Sequence, residues 1–367
     1  MVRRIILAGG GTAGHIEPAL AVADSLRKMQ PELELEFLGT ASGLERLLVP
    51  QRGYVLRTIP KVAMPRKLSP GALLFPFRLI GSVFKARRII KGSDLLIGFG
   101  GYVSATAYLA ALLANVKIAI HEANARPGWA NRLGRRFAKL VAVNFENVRA
   151  DWPGAILTGM PIRKAITEVA NLTESERVKF RELHATSWGF DPMRPIVAIF
   201  GGSQGSAQIN EAVANYQINP DSDIQILHAV GSNNALPQAT KNYLPVPYFH
   251  DMAAVYGAAD LMISRSGAVT CSELMTVARF ALLVPLAHGN GEQSENAKEL
   301  VNQGRAVLVP DQEFSGKWLA ENLKRVVELA RSKKLISIDL HFGAADRIAE
   351  LALESIESKP NEGGRAR

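Results

Sequence analysis

The sequence predicts an α/β protein of two Rossmann-like, doubly wound parallel-sheet domains facing a central cleft. Three observations predict it. Short apolar runs, too brief for helices, alternate with helical patterns along the chain. A strand running into a glycine turn and then a helix occurs at Arg3–His15 and again at Arg194–Ala214, an architectural duplication and not a short repeat. The length, 367 residues with 47% hydrophobic and 21% charged content, suffices for two full cores. The expected domains are 1–161 and 162–343. A C-terminal helix at about 344–356 is available to pack back on the first domain, and a polar tail at 359–367 is expected to fray.

Taking the elements in order, Arg3–Ala8 is the first strand. A helix follows from about Ile16 to Met29, with Leu20, Ala23 and Leu26 at helical spacing, and Leu33–Leu38 is strand two. Gly9, Gly11 and Gly14 match the dinucleotide fingerprint, but Leu38-Gly39-Thr40 stands where a ribose-binding acid should end strand two. The turn therefore reads as a phosphate cradle and not as an NAD site. His15 sits at the helix start, where the positive dipole end lowers an imidazole pKa. Its neutral ring suits a general base, a donor to phosphate or a plain cap, and the residues leave all three open.

Pro60–Lys91 interleaves basic and apolar residues. From Pro76 onward Phe77, Ile80 and Phe84 share one helical stripe, with Arg78 and Lys85 beside it. Such a helix either lies on an anionic membrane surface or packs on its own sheet with a solvated basic edge. Asp94–Phe99 is a further strand, ending in a second glycine turn at Gly98–Ser104 before a helix over Ala105–Ala114. Lys117–Ile120 runs into His121–Gly128, where Asn124 is either a ligand contact or a turn residue. Short strands at 141–143 and 155–157 follow, and Thr158–Arg163 reads as the hinge out of the domain.

In the second half, strand Arg194–Phe200 leads to the turn Gly201–Ser206 and a helix over Ala207–Ala214. Ile224–Val230 is a strand, Val246–Phe249 leads into His250-Asp251-Met252, and Ala253–Ala258 is a short helix. The span Ser264–Ala297 packs two strand-to-helix turns together: strand Leu261–Ile263 before helix Ala268–Val277, and run Phe280–Leu286 before helix Glu292–Leu300. Helix starts at strand ends favour anionic oxygens. Glu273 repels phosphate and suits a ribose diol instead, so the span reads either as a nucleotide site or as two ordinary α/β helices. Ser315–Ser332 and Ala344–Ile356 are amphipathic helices.

Charge is distributed unevenly. Residues 1–160 carry 22 Lys and Arg against 10 Asp and Glu, so all the excess behind the net charge of +9 lies in the first half. That half calls for an anionic partner or serves solubility alone. Cys271 is the single cysteine, which excludes an internal disulfide and fits a reducing compartment. No run reaches the length of a membrane span, and Ile5–Ala8 is too short for a signal-peptide core, so a cytoplasmic protein is expected.

Seven blocks carry a resemblance: GGGTAGHIEPALAVA, GFGGYVSATA, HEANARPGWANR, TGMPIR, FGGSQGSAQIN, SRSGAVTCSEL and GEQSENA, in that order over nearly the whole chain. The chain resembles the MurG family, GT-B glycosyltransferases of family 28. These are bacterial UDP-N-acetylglucosamine transferases that convert lipid I to lipid II for peptidoglycan. The resemblance implies that UDP-N-acetylglucosamine lies against the second domain. Glu273 then matches the ribose-binding acid, and Ala268, Val269, Thr270, Cys271 and Ser272 the helix start beside the diphosphate. Ser203 matches the phosphate-loop serine and Arg163 the hinge arginine. Gln293 and Asn296 match holders of the sugar hydroxyls, and Phe249 falls where main chain meets uracil. Thr12, Ala13, Gly14 and Asn124 reach the donor from the first domain. Gly10, Gly11, Gly100, Gly101 and Tyr102 form the acceptor-diphosphate loops, closed by His15. The Phe77–Lys85 stripe resembles the family's membrane-facing patch.

By the same resemblance the partners are UDP-N-acetylglucosamine, lipid I, the anionic cytoplasmic membrane surface and other proteins of cell-wall synthesis or division, with no nucleic acid. The protein is expected to be peripheral on the cytoplasmic face of the cell membrane. No cofactor is implied, no metal ligand is assigned, and stimulation by Mg²⁺ is left open. His15 is the candidate base for an inverting displacement, with closure about Met160-Pro161 assembling the site. Three positions depart from the family pattern: Ala13 replaces a glycine, Ala123 a glutamine, and Glu292 the first of two glutamines. An alanine at 13 needs a negative φ or bears strain. The rival readings are another GT-B UDP-sugar enzyme, either a glycolipid glycosyltransferase or a UDP-N-acetylglucosamine 2-epimerase, and a nucleic-acid-binding sensor. The sensor lacks interleaved aromatics or a reading helix.

Overall fold

The computed structural model describes residues 3–62, 74–202, 204–216, 222–287, 290–334 and 336–357. The chain forms two compact units, residues 1–161 with 343–367, and residues 162–342.

The first unit runs β1 (Arg4–Ala8), α1 (Ala13–Met29), β2 (Glu34–Gly39), α2 (Glu45–Gln51), β3 (Val55–Thr58), α3 (Phe75–Ile90), β4 (Leu95–Gly98), α4 (Gly101–Ala114), β5 (Lys117–Glu122), α5 (Trp129–Gly134), β6 (Leu140–Val143), α6 (Glu146–Asp151) and β7 (Ile156–Leu157). All pairs are parallel, in the order β3-β2-β1-β4-β5-β6-β7. Strand order reverses at β1, which pairs with β2 through Ile5–Leu35 and with β4 through Ile5–Leu95. The period of two puts Ile5 and Leu7 into one core with α1, and Ile6 and Ala8 into another under α3 and α4. Burial on both faces is why β1 reads as an unbroken apolar run.

The second unit contains α7 (Lys164–Ala170), α8 (Glu174–Ser187), β8 (Ile196–Phe200), α9 (Ala207–Asn215), β9 (Gln225–Ala229), β10 (Tyr243–Val246), α10 (Met252–Ala258), β11 (Leu261–Ser264), α11 (Ala268–Val277), β12 (Phe280–Leu283), α12 (Glu292–Asn302), β13 (Ala306–Leu308) and α13 (Gly316–Ser332). Its parallel order, β10-β9-β8-β11-β12-β13, reverses between β8 and β11. The last helix, α14 (Ala344–Glu357), belongs to the first unit and puts Ile348, Ala349 and Ala352 into the α1 core. Lys117 Nζ closes its end on the Ser355 and Ile356 carbonyls at 2.8 and 3.0 Å.

Four helices open on side-chain caps: Thr173, in a capping box with Glu176, for α8; Ser206 for α9; Asp251 for α10; and Ser315 for α13. The heads of α1, α4, α11 and α12 have no such cap. Two starts differ from expectation. Helix α1 begins at Ala13, and α4 begins at Gly101 instead of Ala105, because Gly100 at φ +97° turns the chain directly into the helix. Ala13 takes no left-handed φ; among the described non-glycine residues only Asn115 and Ala278 do, so the alanine at 13 carries no strain of that kind.

Candidate active site

In the first unit the functional loops follow β1 and β4, at the point where strand order reverses. Open α/β sheets place their ligands there. His15, the third residue of α1, is half-buried. Its Nδ1 lies 3.2 Å from the Gly10 carbonyl and 3.2 Å from Thr12 Oγ1. A carbonyl only accepts, so the Gly10 bond puts the proton on Nδ1 and the lone pair on Nε2. Burial lowers the ring's pKa below the usual value, against opposing contributions from the Gly10 carbonyl and the Glu45 charge. The ring rests on Gly100 and Gly101. A Cβ at either would come within 3.2 or 3.3 Å of it, and both residues have positive φ.

Beneath this loop lies Glu45, which sequence reasoning missed. It opens α2 and is 0% exposed. One carboxylate oxygen accepts from Gly11 N at 3.0 Å, and the other from Thr40 N and Oγ1 at 2.9 and 2.7 Å. A Cβ at Gly10, Gly39 or Gly43 would meet its side chain at 2.8, 2.6 or 2.0 Å, so these three glycines make its room. The only prior signal was an acid six residues past the end of β2 amid glycines. Tyr102 joins the cluster weakly, its hydroxyl 3.4 Å from Thr40 Oγ1.

Asn124 folds back on Glu122. Glu122 Oε1 accepts from Asn124 N at 2.9 Å and Nδ2 at 3.3 Å, and Oε2 from Gly128 N and Asn131 Nδ2. Burial raises the pKa of this carboxyl while the four donors oppose the rise. Asn124 thereby shapes its own turn.

In the second unit the corresponding loops follow β8, β11, β12 and β13. Arg265 ties them together, a role the sequence did not disclose. Its guanidinium reaches Ser206 Oγ at 2.8 Å, the Val284 and Pro285 carbonyls, and the Asp311 carboxylate. Glu273 is the sixth residue of α11 and 3% exposed. It accepts from Arg163 Nη2 at 2.9 Å on one oxygen and from the Tyr256 hydroxyl at 2.9 Å on the other.

The uncapped head of α11 is narrower than Ala268–Ser272. Cys271 and Ser272 are buried against the core, and Cys271 N already bonds to the Gly267 carbonyl at 2.9 Å. Ala268, Val269 and Thr270 remain as the first-turn N–H donors. Asn296 is likewise buried, its Nδ2 3.3 Å from the Ser266 carbonyl, and Gln293 Oε1 accepts from Leu286 N at 3.0 Å. Phe249 buries its side chain edge-on to Phe200, with ring centres 6.0 Å apart. Ser203 lies outside the described residues. The helix after its turn starts at Ala207, where Ser206 Oγ accepts from Ile209 N at 3.3 Å.

On α3 the apolar stripe faces outward: Phe77 is 72% exposed, Ile80 52% and Phe84 53%, with Arg78 and Lys85 exposed beside them. Among the described residues no helix is long and apolar enough to cross a membrane, and no three His, Cys, Asp or Glu are grouped to hold a metal ion.

Two doubly wound units in one chain, each with glycine loops where its strand order reverses, define the class: a GT-B glycosyltransferase. Residues 5–143 match the glycosyltransferase family 28 N-terminal domain, and residues 196–338 its C-terminal domain. The chain is 46% identical over 317 residues to the UDP-N-acetylglucosamine--N-acetylmuramyl-(pentapeptide) pyrophosphoryl-undecaprenol N-acetylglucosamine transferase of Corynebacterium diphtheriae, covering 85% of each chain. It is 41% identical over 369 residues to the like-named Nocardia farcinica protein, covering 95% of each. Among solved structures, Acinetobacter baumannii MurG aligns at 26% identity and TM-score 0.66, over 96% of this chain and 99% of that one. The calicheamicin glycosyltransferase CalG4, at 13% identity and TM-score 0.64 over 97% and 98%, shares the fold. The chain belongs to glycosyltransferase family 28, among its MurG members.

Proposed function

We propose that this chain transfers N-acetylglucosamine from UDP-N-acetylglucosamine to the C4 hydroxyl of the N-acetylmuramyl sugar of lipid I, giving lipid II. The observation that carries the mechanism is the 3.2 Å contact of His15 Nδ1 with the Gly10 carbonyl, which, because a carbonyl only accepts, assigns the proton to Nδ1 and a lone pair to Nε2. The acceptor hydroxyl gives its proton to Nε2 while its oxygen bonds to C1 of the donor sugar from the face opposite UDP. The C1–O bond to the diphosphate breaks, and its electron pair leaves with UDP. The anomeric centre inverts through an oxocarbenium-like transition state, and the uncapped first turn of α11 takes up the developing charge as an oriented dipole.

In this reading Glu273 receives the ribose hydroxyls on the lone pairs left by Arg163 and Tyr256. Phe249 offers main chain to uracil, and Gln293 its amide to the sugar. Asn296 acts behind Gln293 by fixing the Ser266 loop. The glycine loops at Gly10–Gly14 and Gly100–Tyr102 take the acceptor diphosphate, and Thr12, Ala13, Gly14 and Asn124 lie on the donor's path. The α3 stripe rests on the anionic cytoplasmic face of the membrane, making the protein peripheral there. Other cell-wall synthesis or division proteins are partners by the same reading. No cofactor takes part in this reading, and comparing turnover in EDTA with turnover in Mg²⁺ decides whether the ion stimulates the reaction.

Labelled UDP-N-acetylglucosamine, incubated with and without a soluble lipid I analogue, tests the assignment. Label should pass to the acceptor only when the acceptor is present. Conversion to an epimer in its absence would give the activity to a 2-epimerase instead.

A further inference from the structure

We propose that Glu45 is a positioning residue for proton transfer at His15, acting through the peptide group that joins Gly10 to Gly11. This rests on the reading of His15 as the base. The N–H of that peptide donates to Glu45 Oε2 at 3.0 Å, and its carbonyl lies 3.2 Å from His15 Nδ1. Carboxylate, peptide and imidazole thus form one hydrogen-bonded line. A carboxylate on the N–H side polarises the peptide and makes its carbonyl a stronger acceptor. A stronger acceptor on Nδ1–H fixes the tautomer and stabilises the imidazolium that forms when Nε2 takes the hydroxyl proton. A carboxylate bonded directly to histidine does the same in hydrolytic triads; here one peptide stands between them.

The surroundings fit the role. Glu45 is 0% exposed, and its hydrogen bonds come from neutral donors, Gly11 and Thr40. A buried carboxylate without a cation lowers stability, and only its donors offset the cost. Placed behind a loop suited to phosphate, its charge opposes anion binding, so holding a diphosphate does not account for it. The Glu45 charge from α2 acts on His15, and Tyr102 from the head of α4 reaches the Glu45 cluster through Thr40. On α1 itself, Glu17 faces Arg52 at 3.8 Å. From α14 come the apolar Ile348, Ala349 and Ala352. The Glu45 charge raises the ring's proton affinity against its burial.

The test compares the full-length wild type with E45Q, H15Q and the double variant. It measures kcat and KM for UDP-N-acetylglucosamine and a soluble lipid I analogue from about pH 5 to 9, with thermal unfolding alongside. E45Q should lower kcat by about tenfold, leave the donor KM in place and move the acid limb of kcat/KM to lower pH. The double variant should be no slower than H15Q. An unmoved acid limb in E45Q, or losses that multiply in the double variant, would overturn the proposal. Should E45Q not fold, E45D keeps the charge and withdraws it by one methylene. Its acid limb should still shift downward with a smaller loss of kcat, and an unmoved limb overturns the proposal equally. If H15Q itself leaves kcat unchanged, the base assignment fails first, a result separable from failure of the Glu45 line.

Discussion

Arg163 and Glu273, 110 positions apart, meet at 2.9 Å in the second unit, the carboxylate side chain 4% exposed and the guanidinium 20%. Tyr256 completes the site at 2.9 Å on the other carboxylate oxygen. The acid expected to hold ribose is therefore also part of the fold. Removing one partner strands the other's charge, which costs about 3–5 kcal/mol, whereas replacing both with apolar groups is often neutral.

Stability and binding at this pair should separate. E273Q is expected to destabilise the second unit by about 3 kcal/mol in urea unfolding and to weaken UDP binding in calorimetry. The double variant R163M/E273L should regain most of the stability and none of the affinity. Wild-type UDP affinity in the double variant would remove Glu273 from the donor site.

The tautomer and burial of His15 set a pH expectation. Only the neutral ring accepts a proton, and its pKa is lowered. The acid limb of kcat/KM should therefore lie below about 6.5, the value for an unperturbed imidazole. H15Q should lose about 10²–10⁴-fold in kcat with little change in donor KM. A raised acceptor KM at unchanged kcat would make His15 a phosphate ligand instead.

The exposed stripe on α3 gives a membrane prediction. Each Phe withdrawn from water contributes about 2 kcal/mol, and each nearby Lys or Arg about 1 kcal/mol on an anionic surface. F77A/F84A should reduce sedimentation with phosphatidylglycerol vesicles by more than tenfold, and R78E/K85E should remove its dependence on anionic lipid. Both variants should turn over a soluble acceptor at the wild-type rate. Undiminished sedimentation of F77A/F84A would return the stripe to an ordinary solvent face.

Much of this was legible in the sequence. The strands at the two reversal points, β1, β4, β8 and β11, are short, mostly apolar runs with a glycine at or within three residues of their ends, the least ambiguous local signal for a buried parallel strand. The α11 limits, Ala268–Val277, could be read off directly because Gly267 and Arg279 frame an apolar helix. Edge elements were not legible. β3 alternates exposed and half-buried residues, β13 is three residues long, and α5 and α6 have six each, too few turns for a period to show. In the sites, residues that could touch a ligand were readable from type and position. Those that hold the loops were not: Glu45, Glu122 and Arg265 act through partners brought together by tertiary folding, and a buried carboxylate looks like a surface one in a string of letters. Thr173–Glu176 was a readable capping box passed over among charged neighbours.

Two buried histidines make stability depend on acid. His121, 1% exposed, lies with Nε2 3.1 Å from the Gly159 carbonyl, while its Nδ1 has no partner. His228, also 1% exposed, lies between the Tyr243 hydroxyl at 3.0 Å and Asn210 Oδ1 at 3.2 Å. Burial pushes both down to about 4. Unfolded, each titrates near 6.5, so between about pH 4 and 6.5 the unfolded chain binds protons that the folded chain refuses. Stability should be flat above that window on account of these groups and fall as pH drops through it, by at most about 3 kcal/mol for each histidine. His121 lies in the first unit and His228 in the second, so both unfolding transitions should move down in calorimetry from about pH 7 to 4.5. H228Q should flatten the slope of the second unit alone. A slope unchanged in both units would mean that the ring is already solvated in the folded protein.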